Sequence, residues 1–269
     1  MSFIKIDRPR PHVALVVLNR PERMNAMAFD VMVPFREAME EISNDNDVRV
    51  VVVTGAGEGF CSGADLQDSM PPPNTHGLTP PSRSLRALGY LEDVVLAMRN
   101  MNQPVIGAIN GAALGGGLCL ALACDIRVAG RAAYFRAAGI NNGLTASELG
   151  LSYLLPRAVG SSHAFDIMLS GRDIDAEEAA RIGLVSRLVD DEALLDQCYE
   201  LAERIIGYSR PGIELTKRTL WGSLDASSLT QHMHAEGIGQ LYVRLLTDNF
   251  EESIRARQEE RPPVFRDTR

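Results

Sequence analysis

No stretch of about 18 uncharged apolar residues occurs anywhere in the chain, so no transmembrane helix is expected. The opening MSFIKIDRPRPHVALVVLNRPERMN has no long apolar run behind a basic cluster, so no secretory signal is expected either, and the expected compartment is the cytoplasm. Basic charge is in deficit: Lys and Arg number 27 against 35 Asp and Glu, for a net charge of -8. No block of like charge reaches the roughly five or six residues of an interaction tail, which argues against nucleic acid as a partner. The four cysteines, Cys61, Cys119, Cys124 and Cys198, include no C-x-x-C pair and no His at zinc-site spacing. Reduced thiols and no metal are expected. His232 and His234 form an H-x-H on a helical stretch, where residues two apart point to different sides.

What is present suffices for a sizeable core, because 45% of the 269 residues are hydrophobic. Ile4 to Ile6 and Val13 to Asn19 read as strands joined by Pro9 and Pro11, and RPERMNAM as a turn. Phe29 to Ile42 has apolar residues at helical spacing, and VRVVVVTG from Val48 to Gly55 is a β-branched run suited to a strand buried on both faces. Residues 67 to 88 hold five of the fourteen prolines and read as a mobile excursion. Helical spacing resumes from Leu91 to Met98. PVIGAING is then a strand, ALGGGLCLALACD a glycine loop entering a buried helix, and IRVAG another strand. This alternation argues an α/β core. After Tyr134 strand signals fade and helix starts accumulate, among them the capping-box-like Asp175 to Glu178 and the amphipathic run from Leu229 to Leu246. The division expected is a core over 1–200 and a helical region over 201–269 that packs on a neighbouring subunit.

GAGEG at Gly55 to Gly59 follows a strand, but its G-x-G-x-G spacing and the lack of a following Lys-Ser or Lys-Thr reject it as a phosphate loop. Two other glycine loops say more: C-S-G-A-D-L from Cys61 to Leu66, and A-L-G-G-G-L-C from Ala113 to Cys119. Small residues let a ligand approach the backbone, so N–H groups from two loops can meet on one oxygen, with the dipole of the helix after Gly116 aimed at it. That arrangement suits a thioester carbonyl turning into an enolate. Read alone, either loop is equally well a tight turn.

LNRPERMNAM, GEGFCSGADL, PVIGAINGAALGGGLCLALACDIRVAG and SGRDIDAEEAARIGLVSRLV together resemble the enoyl-CoA hydratase/isomerase family, the crotonase superfamily, in order and spacing over nearly the whole chain. The resemblance implies an α/β spiral of ββα turns with a helical C-terminal trimerisation region, assembling as a trimer or a dimer of trimers. It also implies an acyl-CoA substrate held with its thioester in an oxyanion hole, with no other cofactor. By motif position the hole falls on the N–H groups of Ala64 and Gly116. The coenzyme A contacts fall on Arg23, Met24 and Ala26 and on Ser62, Asp65 and Leu66; Asp65 reads alternatively as a helix cap.

The chain departs from that family where its hydratases carry two glutamates. Those positions are Cys119 and Gly139 here, both expected to line the substrate site, and restoring Glu at the two together is expected to raise hydration. The remaining acid is Glu148, near where dienoyl-CoA isomerases of the family carry an Asp. Among Leu144, Ala146, Leu149 and Leu151 its pKa is expected to rise, which suits proton exchange at carbon. Its alternative is a surface carboxylate at a helix start, with Thr145 or Ser147 as the cap and Arg157 as its partner. Cys119 reads as a space-filling thiol or, alternatively, as a nucleophile activated by a helix N-terminus. Asp125 reads as structural, and Tyr90, Arg83 and Arg86 as candidate lining of the acyl pocket. The expected activity is enoyl-CoA isomerisation with Glu148 as the proton shuttle. Hydration or lyase chemistry with a non-standard acid, and silent acyl-CoA binding, are the alternatives.

Overall fold

The computed structural model describes residues 3–67 and 71–266. Strand β1 (Ile4–Arg10) pairs antiparallel with β2 (Val13–Leu18) at the edge of a six-stranded sheet. Pro9 belongs to β1 rather than to the connection, because an edge strand has no need of every N–H and the register already shifts between Asp7 and Arg10. Helix α1 (Phe29–Ser43) buries Val31, Met32, Phe35, Ala38, Met39 and Ile42, the spacing of one helical face, with Pro34 inside its second turn.

From β3 (Val50–Gly55) the chain alternates between two sheets. The step from β3 to β4 (Gly59–Cys61) is followed by helix α2 (Pro80–Asn100), and the step from β5 (Val105–Ile109) to β6 (Ala112–Leu114) by α3 (Gly116–Ala123). A third step runs from β7 (Ile126–Gly130) to β8 (Tyr134–Arg136), then on to α4 (Leu151–Val159) and α5 (Ser161–Ser170). Next come β9 (Ile174–Asp175), α6 (Ala176–Arg181) and β10 (Arg187–Val189). The strand orders β1-β2-β3-β5-β7-β10 and β4-β6-β8-β9 are those of a spiral of ββα turns, as expected. Asp175 caps α6, accepting from the Glu178 N–H at 2.7 Å. Four helices follow or close the chain: α7 (Leu194–Ile206), α8 (Arg210–Ser223), α9 (Leu229–Leu246) and α10 (Asn249–Gln258).

The β-branched runs are buried on both faces because helices cover both sides of the larger sheet. Val13, Leu15, Val50, Val52, Ile106 and Val128 pack on Leu194, Cys198 and Leu201 of α7. The alternate residues Val16, Val51, Val53 and Ile109 join α1, α2 and α3 in the main core. Two expectations need correction. Residues 80–88 are helical: Pro80 and Pro81 occupy the first turn of α2, where a missing N–H costs nothing. Strands also continue past Tyr134, as the short β8, β9 and β10. Asp68, Ser69 and Met70 of the expected excursion lie outside the described residues. No described helix is long and apolar enough to cross a membrane, and among the described residues no group of three or more His, Cys, Asp or Glu could hold a metal ion.

Asp125 is structural, as its place at a strand start suggested. Its carboxylate accepts from the Val105 N–H at 2.7 Å and the Trp221 indole at 2.6 Å, and contacts the Lys217 ammonium at 2.9 Å. Lys217 itself is buried, so desolvation lowers its pKa while Asp125 opposes that fall. Removing one partner of a buried pair strands the other. Asp125→Ala is expected to cost about 3–5 kcal/mol in denaturant unfolding, and a loss below ~1 kcal/mol would show that the pair does not anchor α8.

Candidate active site

The loop after β2 is set by a buried asparagine that the sequence reading passed over. Asn25 donates to the carbonyls of Ala56 and Gly59 at 2.9 and 2.8 Å and accepts from the Arg20 N–H at 2.9 Å, while Met24 and Asn25 both adopt left-handed backbone. This brings the first motif to the second. The Ser62 N–H donates to the Met24 carbonyl at 3.0 Å and its hydroxyl to the Arg23 carbonyl at 3.3 Å, and the Arg23 guanidinium donates to the Gln67 side chain. Arg23, Met24, Ser62 and the 77%-exposed Leu66 thus share one rim, whereas Ala26 is buried beneath it. The Asp65 carboxylate is turned inward. It lies 2.8 Å from the Arg20 guanidinium and accepts from the Gln67 N–H at 3.0 Å, the bond that chiefly holds its pKa below the ordinary carboxylate range. It caps a turn rather than a helix, and what it leaves for a ligand is backbone.

The two glycine loops converge. Met27 takes both of its bridge bonds from the residues flanking Ala64: its N–H donates to the Gly63 carbonyl at 2.7 Å and its carbonyl accepts from the Asp65 N–H at 3.1 Å. In a parallel bridge this turns the Ala64 N–H to the opposite side. Gly63, at φ 84°, is packed so closely that a Cβ there would lie 2.6 Å from the Leu114 carbonyl oxygen and 3.3 Å from the Gly116 nitrogen. A Cβ on Gly117 would overlap the Cys61 carbonyl oxygen. Gly116 heads α3, so its N–H has no intrahelical partner. Neither the Ala64 nor the Gly116 N–H donates to another group among the described residues. Two free amides beside a helix N-terminus form an anion-binding arrangement.

Glu148 reaches the same place from the far side. Its Oε1 lies 3.1 Å from where a Cβ on Gly115 would stand, with Ala138 close by. The side chain is half-buried, and desolvation raises its carboxyl above the ordinary range. Ala146 and Leu151 are buried as expected, but Leu144 is 68% exposed and contributes little to this. Arg157 is not its partner: that guanidinium donates to the Tyr153 and Leu224 carbonyls at 2.9 and 3.4 Å and lies over the Tyr153 ring. Thr145 and Ser147 do not cap α4, which starts from Gly150 without a side-chain cap. The expected Arg157 pairing and the Thr145 or Ser147 cap are therefore corrected, while Glu148 does stand at the start of α4.

The two lost-glutamate positions are closed. Cys119 is fully buried, its Sγ 3.4 Å from the carbonyls of Gly115 and Glu148, and burial followed by the nearby Glu148 pushes its pKa up. The thiol keeps its proton, which overturns the alternative of an activated nucleophile. Burial likewise pushes the Cys61, Cys124 and Cys198 thiols up to about 12. At Gly139 a Cβ would overlap the Thr145 carbonyl oxygen, so no glutamate fits there without moving the 139–146 loop. The expectation that Glu could simply be restored at this position is corrected. Tyr90 and Arg86 bond to the side-chain amide and the carbonyl of Asn74 at 3.1 and 2.8 Å, and Arg83 is exposed on the same helix. The residue overlooked is Met27, whose Sδ occupies the space a Gly116 side chain would take; Leu149, expected beside Glu148, places its Cδ1 3.5 Å from that point.

A family model described as enoyl-CoA hydratase/isomerase matches residues 9–268. The crystal structure of a probable enoyl-CoA hydratase/isomerase from Mycobacterium abscessus is 69% identical, with TM-score 0.96 and complete coverage of both chains. A probable enoyl-CoA hydratase of Mycobacterium tuberculosis is 66% identical over 99% of this chain and 94% of that protein. The crystal structure of a monofunctional enoyl CoA isomerase from M. smegmatis is 60% identical with TM-score 0.74, over 87% of this chain and 99% of that one.

Proposed function

The chain belongs to the enoyl-CoA hydratase/isomerase family, and from that premise we propose that it is an enoyl-CoA isomerase with Glu148 as its one proton shuttle. The observation that carries this is the placement of the Glu148 carboxylate beside Gly115, at the convergence of the two loops, with a buried thiol and a closed glycine at the other two acid positions.

In this mechanism the thioester carbonyl of a 3-enoyl-CoA lies between the N–H groups of Ala64 and Gly116. The Glu148 carboxylate takes a proton from C2, the C–H electron pair enters the carbonyl to give a dienolate, and the two amides and the helix dipole stabilise the oxyanion. The protonated Glu148 then returns the proton to C4 as the double bond forms between C2 and C3. Proton taken equals proton returned, so the step requires no cofactor beyond the coenzyme A of the substrate. Hydration needs a base on water and an acid for the α-carbon at once, and one carboxylate does not supply both in the ordinary way. The coenzyme A end is assigned to the rim of Arg23, Met24, Ser62 and Leu66, with Ala26 and the backbone of Asp65 beneath, and Cys119 and Gly139 back the acyl end.

Turnover with 2-enoyl- and 3-enoyl-CoA thioesters tests this: isomerisation without appreciable hydration is expected, and hydration of crotonyl-CoA at an ordinary hydratase rate contradicts it. The pH profile is a second check. Because Glu148 must start ionised and desolvation raises its pKa in the free protein, kcat/KM should climb with pH through a limb above the ordinary carboxylate range. A limb at or below the usual glutamate pKa would show that another group titrates.

The helical region over 201–269 is assigned to self-association as a trimer or a dimer of trimers. Helix α9 buries no residue and leaves Leu229, Met233, Ile238, Leu241, Tyr242 and Leu245 each more than half exposed. Apolar surface of this extent calls for a partner. Sedimentation should give a trimer or larger, and a stable 29.3 kDa monomer at micromolar concentration would contradict it.

A further inference from the structure

Two left-handed residues follow the acid in succession: Leu149 at φ 44° and Gly150 at φ 83°. Glycine adopts that conformation freely, but leucine brings its Cβ against its own backbone there. Such a residue persists only where its surroundings over-determine it. Three contacts do so here. The Glu148 carbonyl accepts from the Leu151 N–H at 2.7 Å, at the start of α4. The same carbonyl faces the Cys119 thiol at 3.4 Å, one turn into α3. The Leu149 side chain packs on the main core with its Cδ1 over the first turn of α3, 3.5 Å from where a Gly116 Cβ would stand.

We infer that Cys119 and Leu149 are positioning residues, which fix the Glu148 carboxylate relative to the Gly116 N–H by tying the turn at 148–150 to the N-terminal end of α3. This rests on Glu148 being the acid, as proposed above. Residues 140–145, which lead into the turn from the other side, are exposed and offer it little support. The acid and the helix-end amide are therefore held by one rigid element, and the dienolate sees both at a constant separation. The buried thiol, which retains its proton, acts as a donor to the backbone of the acid. Its sharing with the Gly115 carbonyl, also at 3.4 Å, couples both ends of that separation through one side chain.

The test uses the full-length protein with 3-hexenoyl-CoA and four variants. Cys119→Val fills the space without a donor, Cys119→Ser keeps one, Leu149→Gly keeps the backbone shape allowed but removes the anchor, and Glu148→Gln removes the acid. Displacement of a catalytic group by an ångström costs on the order of 10²-fold. Cys119→Val and Leu149→Gly are thus expected to lower kcat by about 10- to 10²-fold with KM nearly unchanged, the pattern of a group acting in the transition state. Cys119→Ser should recover most of the loss. A merely structural role would lower the melting temperature and leave kcat per folded site unmoved, which overturns the inference. Wild-type kcat in Cys119→Val and Leu149→Gly beside an inactive Glu148→Gln overturns the positioning and leaves the acid in place. Full activity in Glu148→Gln removes the acid and the positioning together. Should Cys119→Val fail to fold, Leu149→Gly decides by the same criterion.

Discussion

Glu148→Gln is expected to bind acyl-CoA as the wild type does and to lose exchange of the substrate C2 and C4 protons with deuterated solvent by ~10²-fold or more, the usual size of an acid–base contribution. The change is nearly isosteric and removes no ion pair, since Glu148 has none among the described residues. Loss of rate with retained affinity therefore reports on proton transfer alone. Among the described residues, neither of the two other acid positions is placed to substitute: Cys119 holds its proton through burial, and Gly139 has no side chain. Solvent exchange measured by NMR in the variant at the wild-type rate would leave the acid unidentified.

The second large effect belongs to the amide at the head of α3. Gly116→Pro deletes the N–H and Gly116→Ala retains it, while both place a Cβ against the Met27 thioether. Methionine is flexible enough to yield, so the shared steric term is modest, and the two variants differ in the donor together with the ring carbon that replaces its hydrogen. Loss of one such donor costs about 2.7–4 kcal/mol of transition-state stabilisation, or roughly 10²–10³-fold in kcat. Gly116→Pro should fall short of Gly116→Ala by that factor, with circular dichroism confirming that both fold. Equal turnover in the two would remove Gly116 from the oxyanion site.

Long β-branched runs could be read from the sequence because helices cover both faces of the larger sheet, so Val13–Leu18 and Val50–Gly55 lack polar alternation. The strands of the smaller sheet could not. Each has two or three residues, too few for a period to show, and β4, β6 and β8 form only because consecutive turns of the spiral lie side by side. Pro80 and Pro81 read as chain breakers, although the same lack of an N–H suits a helix start. In the site, the two glycine loops were legible from small residues after strands, whereas Ala64, Gly116 and Glu148 as its working groups were expected from the family resemblance. The inward turn of Asp65 toward Arg20, the Asn25 clamp and the left-handed Leu149 depend on contacts distant in sequence or on backbone geometry, which residue type does not encode.

A single shuttle makes a demand that two separate acids do not: the proton leaving C2 can arrive at C4. A 3-enoyl-CoA labelled with deuterium at C2, turned over in ordinary water and followed by NMR, tests this directly. The expected product is 2-enoyl-CoA in which part of the deuterium has moved to C4, with the transfer abolished in Glu148→Gln. Formation of 3-hydroxyacyl-CoA without isomerisation, or isomerisation with no label at C4 and undiminished rate in Glu148→Gln, would contradict it.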